Sequence, residues 1–204
     1  MKEITFRKLT ADEIECRVGI SKQNGCTLLL YKDARCDQNI LDEAVGAYNW
    51  QRHHSRDNAN CIVALWDEEK KQWIEKEDVG TESNTEAEKG IASDSFKRAC
   101  VNWGIGRELY TAPFIWIDAS KYENNQRNGK YYPSAKFKVT KISYDDKGRI
   151  NGLVIINASL KDSDGKLLPP SQQVVFTHFS PELVQQLKTA KSKKQQIVEA
   201  LQES

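Results

Sequence analysis

The residues best suited to chemistry on a charged ligand are cations. Lys97 and Arg98 stand side by side in the stretch EKGIASDSFKRACVNWGIGRELY, where two adjacent cations on a helix can meet phosphate. A longer basic tract follows: between Lys121 and Arg149, eight lysines and arginines face three acids, a net of +5, with Tyr122, Tyr131, Tyr132, Phe137 and Tyr144 interleaved. Cations spaced in this way follow a phosphate backbone while aromatic rings stack on bases, which makes Lys136, Lys138, Lys141 and Tyr132 candidate contacts for a single strand. Two plainer readings compete. The tract also fits a solvated hairpin whose lysines discourage edge pairing, and the Lys97-Arg98 pair also fits the charged back of any amphipathic helix.

A second chemistry is available to the acids. Asp67, Glu75, Glu77 and Asp78, with Lys76 among them, could hold a divalent cation and make a nuclease. Strand alternation argues against it, because Glu75 and Glu77 share one face while Lys76 takes the other. The spacing of Cys16, Cys26, Cys36, Cys61 and Cys100 has no CxxC and no finger-like histidine partner, so the five read as reduced structural thiols. His53 and His54 are adjacent and would point to opposite faces of a strand, which does not make a two-ligand site; with Arg52 they are weaker candidates for DNA contact. GxxxxGK[ST], GxSxG and HExxH are all missing, which disfavours an ATP-driven motor and common hydrolases. The GIG of residues 104–106 follows a helix instead of joining strand to helix, so it reads as a cap. No cofactor or metal is implied.

These side chains need elements to hold them. KEITFRKL alternates as a short strand, and TADE offers a capping box, Thr10 with Glu13, to a short helix through Ile14 and Arg17. CTLLLYKD reads as a strand, after which Asp33 caps a helix through Val45 that stops at Gly46. YNWQRHHS, NANCIVALWD and KQWIEKEDVG, separated by polar turns, predict an antiparallel meander. Thr85 with Glu88 forms a second capping box, opening a long helix on which Ala92, Phe96, Ala99, Cys100 and Trp103 gather into one apolar stripe. That stripe must face the sheet, leaving Lys97 and Arg98 on the flanks of the opposite side around Val101; Gly104 and Gly106 then end the helix. TAPFIWID predicts a strand. From Tyr131 to Leu160 the alternation predicts a hairpin turning at Asp146, Lys147 and Gly148, and the tail gives two short helical patterns, PELVQQLKTA and SKKQQIVEALQE.

The fold class that follows is α+β: an antiparallel β-meander packed against a long α-helix, a β-β-β-α core, with a β-hairpin and short C-terminal helices. Formal net charge is only +1 with 39% hydrophobic residues, so binding to nucleic acid must come from local segregation of charge. Segregation is present: between Asp67 and Glu88 nine acids face three lysines. The sequence has no apolar run of bilayer length and no secretion-signal pattern at its start, which predicts a cytoplasmic protein without a membrane partner.

Taken together, EDVGTESNTEAEKGIASDSFKRACVNWGIGRELY and the upstream YKDARCDQNILDEAVGAYNW resemble the Rad-fifty-two family of single-strand annealing proteins, in its bacteriophage and prophage branch of Sak-like annealases. The likeness covers roughly Asp12 to Asp118 and rests on the EKG, SDSFKRA, GIGR and LY pieces in their order. It implies an ATP-independent protein that binds single-stranded DNA in a positive groove, assembles into rings or helical filaments and anneals complementary strands in recombination and repair, with no bond made or broken. In the family the Lys-Arg pair of the long helix lines the DNA groove, which carries over to Lys97 and Arg98. A second basic position early in the preceding helix is matched most nearly by Arg35. The resemblance fades over Tyr131 to Leu160, where the basic hairpin stands on its own residues. Residues 1–178 are expected to form the annealing domain and 179–204 a helical tail. A single-strand binding protein or a phage exonuclease are candidate protein partners, and a bacterial host cytoplasm is the implied location. A metal-dependent nuclease and a monomeric single-strand binder remain the alternatives.

Overall fold

The computed structural model describes residues 4–81 and 87–202, with the backbone alone for 87–89 and 193–202. Residues 4–10 have no regular structure, and Ala11–Glu13 form a single 3-10 turn. This corrects two expectations, the N-terminal strand and the helix through Arg17. The Thr10–Glu13 box is formed, with Thr10 N donating to Glu13 Oε2 at 2.8 Å, but it closes one turn only. The polar groups upstream are committed to side chains instead of a ladder: Arg7 reaches Glu13 and Glu43, and Leu9 N donates to buried Glu108 Oε1 at 2.8 Å. From Glu15 the chain is drawn into a sheet as β1 (Glu15–Lys22), followed by β2 (Gly25–Tyr31).

The chain then divides between two units that interleave in sequence, Met1–Glu15 with Leu30–Thr111, and Cys16–Leu29 with Ala112–Ser204. In the first, Asp33 caps α1 (Ala34–Val45) by accepting from Arg35 N at 2.8 Å, and Gly46 ends it at φ +83°. Strands β3 (Trp50–Ser55), β4 (Asn60–Asp67) and β5 (Gln72–Val79) pair antiparallel in that order. Cys61, Val63, Ala64 and Leu65 of β4 are buried, so the middle strand is covered on both faces.

Helix α2 (Ala87–Trp103) packs on β4 and β5. The capping box read at Thr85 and Glu88 lies outside the described residues. Phe96, Ala99 and Cys100 are fully buried, and the Phe96 ring stacks on Trp50 at 6.2 Å between centroids. At the entrance, strand and helix backbones meet at Gly80, where a Cβ would lie 2.5 Å from Ser95 N and 2.7 Å from Ile91 O. At the exit, Gly104 and Gly106 take φ of +103° and +69°. The helix's last carbonyls are not left open: Arg107 donates to Val101 O at 2.8 Å and Lys76 Nζ to Asn102 O at 2.8 Å, cations at the negative end of the helix.

The second unit holds a six-stranded sheet in the order β11-β10-β9-β1-β2-β6, from β6 (Ile115–Asp118), β9 (Phe137–Tyr144), β10 (Ile150–Asn157) and β11 (Val174–Phe179). The β9–β10 hairpin turns as the alternation predicts, with Asp145 Oδ1 accepting from Lys147 N and Arg149 N. Tyr131 and Tyr132, read as the start of that hairpin, belong instead to a separate two-stranded ribbon of β7 (Glu123–Arg127) and β8 (Lys130–Ser134). The tail is one helix, α3 (Pro181–Gln202), where two short ones were expected; TAKSKK carries neither Gly nor Pro to interrupt it. Among the described residues no helix is long and apolar enough to cross a membrane.

Because Phe96 is closed in on every side, Phe96→Ala is expected to lower stability by about 3 to 5 kcal/mol in urea unfolding. A loss below about 1 kcal/mol would mean that α2 does not depend on this contact.

Candidate nucleic-acid interface

The inward set of α2 fixes what points outward. Lys97, Arg98 and Val101 line a concavity of about 290 Å3 together with Asp94 of the same helix, Tyr31 and Lys32 from the end of β2, Thr81, and Gly106, Leu109 and Tyr110 beyond the helix. Three cations and two tyrosines thus share one cleft with a single carboxylate in its wall. Asp94 is engaged already, accepting from Thr81 N at 3.0 Å.

Lys32 and Asp37 form a buried ion pair at this cleft, Lys32 Nζ donating to both carboxylate oxygens. Gly106 closes over the lysine: a Cβ there would overlap the Lys32 side chain, and the φ of +69° already favours glycine. Burial is the largest influence on Asp37 and pushes its carboxyl up to about 6, against the opposing pull of Lys32 and, more weakly, Lys97. Desolvation therefore outweighs the ion pair.

Arg98 has a partner too. Its Nε donates to Asp78 Oδ1 at 3.2 Å, and Asn102 Nδ2 holds the other oxygen of Asp78 at 3.2 Å. The side chain is still 44% exposed, so a phosphate can reach it but must share it with Asp78. Arg35 stands in the first turn of α1 with its side chain 83% exposed and an ion pair to the N-cap Asp33 at 3.2 Å. It does not line the cleft.

The remaining sequence-derived positions lie in the second unit. The β9–β10 register shifts between Val154 and Ile155, so that Lys138 opposes Ile156 and Lys141 opposes Val154, with Thr140 as the extra residue. Three residues apart, Lys138 and Lys141 would fall on opposite faces of a regular strand; the bulge puts them on one. Lys136, two residues before Lys138, continues that exposed row. Tyr132 is half-exposed on β8, opposite Asn125. Charge is divided between the units: the first has 14 lysines and arginines against 20 acids, net −6, and the second 16 against 9, net +7. Lys97 and Arg98 are thus a basic spot in an acidic unit, whereas Lys136, Lys138 and Lys141 belong to a basic one.

The acids considered for a metal are dispersed. Asp67 pairs with Gln72 at one end of the β4–β5 hairpin and Asp78 with Cys61 at the other, six rungs and about 20 Å away. Glu77 is taken by Asn60 Nδ2 at 2.6 Å and Asp78 by Arg98. His54 Nδ1 lies 3.5 Å from Ser95 Oγ, and burial lowers its pKa. Arg52 covers the Phe96 ring at 4.8 Å, a packing role. Sequence reasoning missed Tyr31, Lys32 and Tyr110. Tyr110 ends the quoted motif and could have been read from it, but Lys32 was hidden as a strand terminus and Asp37 as an ordinary helix position.

The Asp37 shift has a definite sign. A carboxyl whose folded pKa is raised binds its proton more tightly in the folded state, so its favourable contribution is complete below about pH 4 and is lost as pH rises through about 6. The stability of the wild type relative to Asp37→Asn is expected to fall between pH 4 and pH 7 in urea unfolding; a difference that stays flat would show that Asp37 is ionised throughout.

Comparison with known proteins bears on the same segment. Residues 64–128, from the middle of β4 into the β7–β8 ribbon, match the Rad52/22 family of double-strand break repair proteins. The single-stranded DNA-binding protein DdrA of Deinococcus radiodurans is 32% identical over 108 residues, 52% of this chain and 50% of that protein. The chain therefore spans about half the length of this relative. No solved structure matches. The matched segment holds β5, all of α2 with Lys97 and Arg98, and the GIGR turn, and it is over this segment that the chain is similar to the Rad52/22 family of double-strand break repair proteins.

Proposed function

We propose that this protein binds single-stranded DNA and anneals complementary strands during recombination and repair, without nucleotide and without breaking a covalent bond. The observation that carries the reading is the outward placement of Lys97 and Arg98 on a cleft of two tyrosines, inside the segment that matches the family. Phosphates held by cations leave bases free to test a second strand, which is annealing by geometry alone. In this reading the meander with α2 is the β-β-β-α annealing core. Lys97 and Arg98 hold the backbone of the first strand, and Arg35 adds an exposed cation at the α1 terminus. The row of Lys136, Lys138 and Lys141, with Tyr132 as a stacking ring, gives a second basic surface. The protein acts as a homo-oligomer, a ring or helical filament of the bacteriophage type, in the host cytoplasm. A single-strand binding protein or an exonuclease would supply its substrate.

Titrating a fluorescent oligonucleotide at several salt concentrations tests this. Lys97→Ala with Arg98→Ala is expected to weaken binding and reduce the salt slope by about 1.4, since each phosphate neutralised on a single strand accounts for about 0.7. Asp78→Asn, which releases Arg98, is expected to tighten binding. Unchanged affinity and slope in a folded double variant would remove these two side chains from the interface.

A further inference from the structure

The other large concavity of the first unit has a different character. It is about 270 Å3, walled by Ile4, Leu65, Ile74, Trp66 and Trp103, and carries Asp67, Glu68 and Glu69 at the end of the β4–β5 hairpin. Trp103 is fixed there by donating Nε1–H to Val63 O at 3.0 Å, and Trp66 by donating to Glu68 Oε2 at 2.7 Å. Both tryptophans are thus hydrogen-bonded within the apolar part of the wall.

Asp67 is what makes the cavity more than a gap in packing. Its side chain is only 9% exposed. Oδ1 accepts from Glu69 N and Lys70 N, but Oδ2 is buried with no hydrogen-bond partner, and Lys70 Nζ stays 3.8 Å away. A buried carboxylate oxygen without a donor is costly, and a donor arriving with a ligand would remove that cost. A site with apolar walls, an acidic mouth and one waiting acceptor fits an apolar side chain flanked by cations.

The chain itself offers that chemistry. On α3, Leu187 is 55% exposed, and Lys188 and Lys191 beside it are exposed as well. Helix α3 belongs to the unit of net charge +7 and the cavity to the unit of net charge −6. We infer that the cavity of one copy receives the Leu187–Lys191 turn of α3 from a second copy, with Leu187 against the two tryptophans and a lysine ammonium donating to Asp67. The contact joins two different surfaces, so it is head-to-tail and propagates into a ring or a filament. It rests on the reading of the protein as an oligomeric single-strand annealer and names the contact that would build the oligomer.

The test uses the full chain without DNA, in sedimentation velocity at several concentrations and salt levels. Wild type is expected to self-associate, and Leu187→Asp to weaken association by about tenfold or more, as for loss of a central apolar anchor. Glu68→Lys with Glu69→Lys, or Lys188→Glu with Lys191→Glu, should each weaken it similarly, and combining the two pairs should restore it. A monomeric wild type, or an oligomer indifferent to Leu187→Asp and to both charge reversals, overturns the inference. Single-strand binding measured on the same samples separates the two readings: a monomer that still binds DNA sinks the contact alone, whereas an oligomer that responds as described but binds no DNA sinks the functional reading and leaves the contact standing.

Discussion

The rotation of α2 about its own axis is the constraint on which the rest depends. Phe96 sits under Trp50 with no exposure, Ala99 and Cys100 are equally closed off, and Gly80 lets the end of β5 lie against the helix backbone. With those contacts made, the next residues along the chain have no choice of direction. Lys97 and Arg98 must leave the sheet, and the cleft beside them is assembled from what the helix passes: the end of β2, Thr81 and the turn after Gly104. Packing energy thereby sets the position of charge. A 100° turn of the helix would cost the burial of an aromatic ring in order to move two cations.

Charge in this molecule is balanced close by and divided at larger scale. Two of the cleft's three cations have an ion-pair partner close by, Asp37 for Lys32 and Asp78 for Arg98. In the proposed function such pairing would weaken a single phosphate contact but hold the side chains in place before a strand arrives. Over longer distances the balance fails, with one unit net −6 and the other net +7. A whole-chain charge of +1 conceals this completely. Under the proposed head-to-tail contact, this division would let the acidic unit of one copy attract the basic unit of the next.

The sequence was most legible where local patterns agree with tertiary structure. The stripe of Phe96, Ala99 and Cys100 gave the inward face of α2, and Gly104 and Gly106 gave its end, because a positive φ and an apolar period are both written in residue type. It was least legible where long-range partners decide. Residues 4–10 alternate like a strand, but Arg7 and Leu9 N find carboxylates far along the chain, and no ladder forms. Lys138 and Lys141 share a face only because of a bulge against β10, which no count along one strand reveals. Lys32 and Asp37 look like unrelated surface residues until the fold buries them together under Gly106. The β7–β8 ribbon and β11 were missed for the same reason, being short and polar or only briefly alternating.

Pairing of two complementary fluorescent oligonucleotides, followed in EDTA without nucleotide, tests the central claim most directly. If cations hold the backbone and leave the bases free, the wild type accelerates pairing well above the spontaneous rate, the acceleration declines as salt rises, and Lys97→Ala with Arg98→Ala removes most of it. Binding that protects the strands and slows their pairing would contradict the account and leave a single-strand binder in place of an annealing protein.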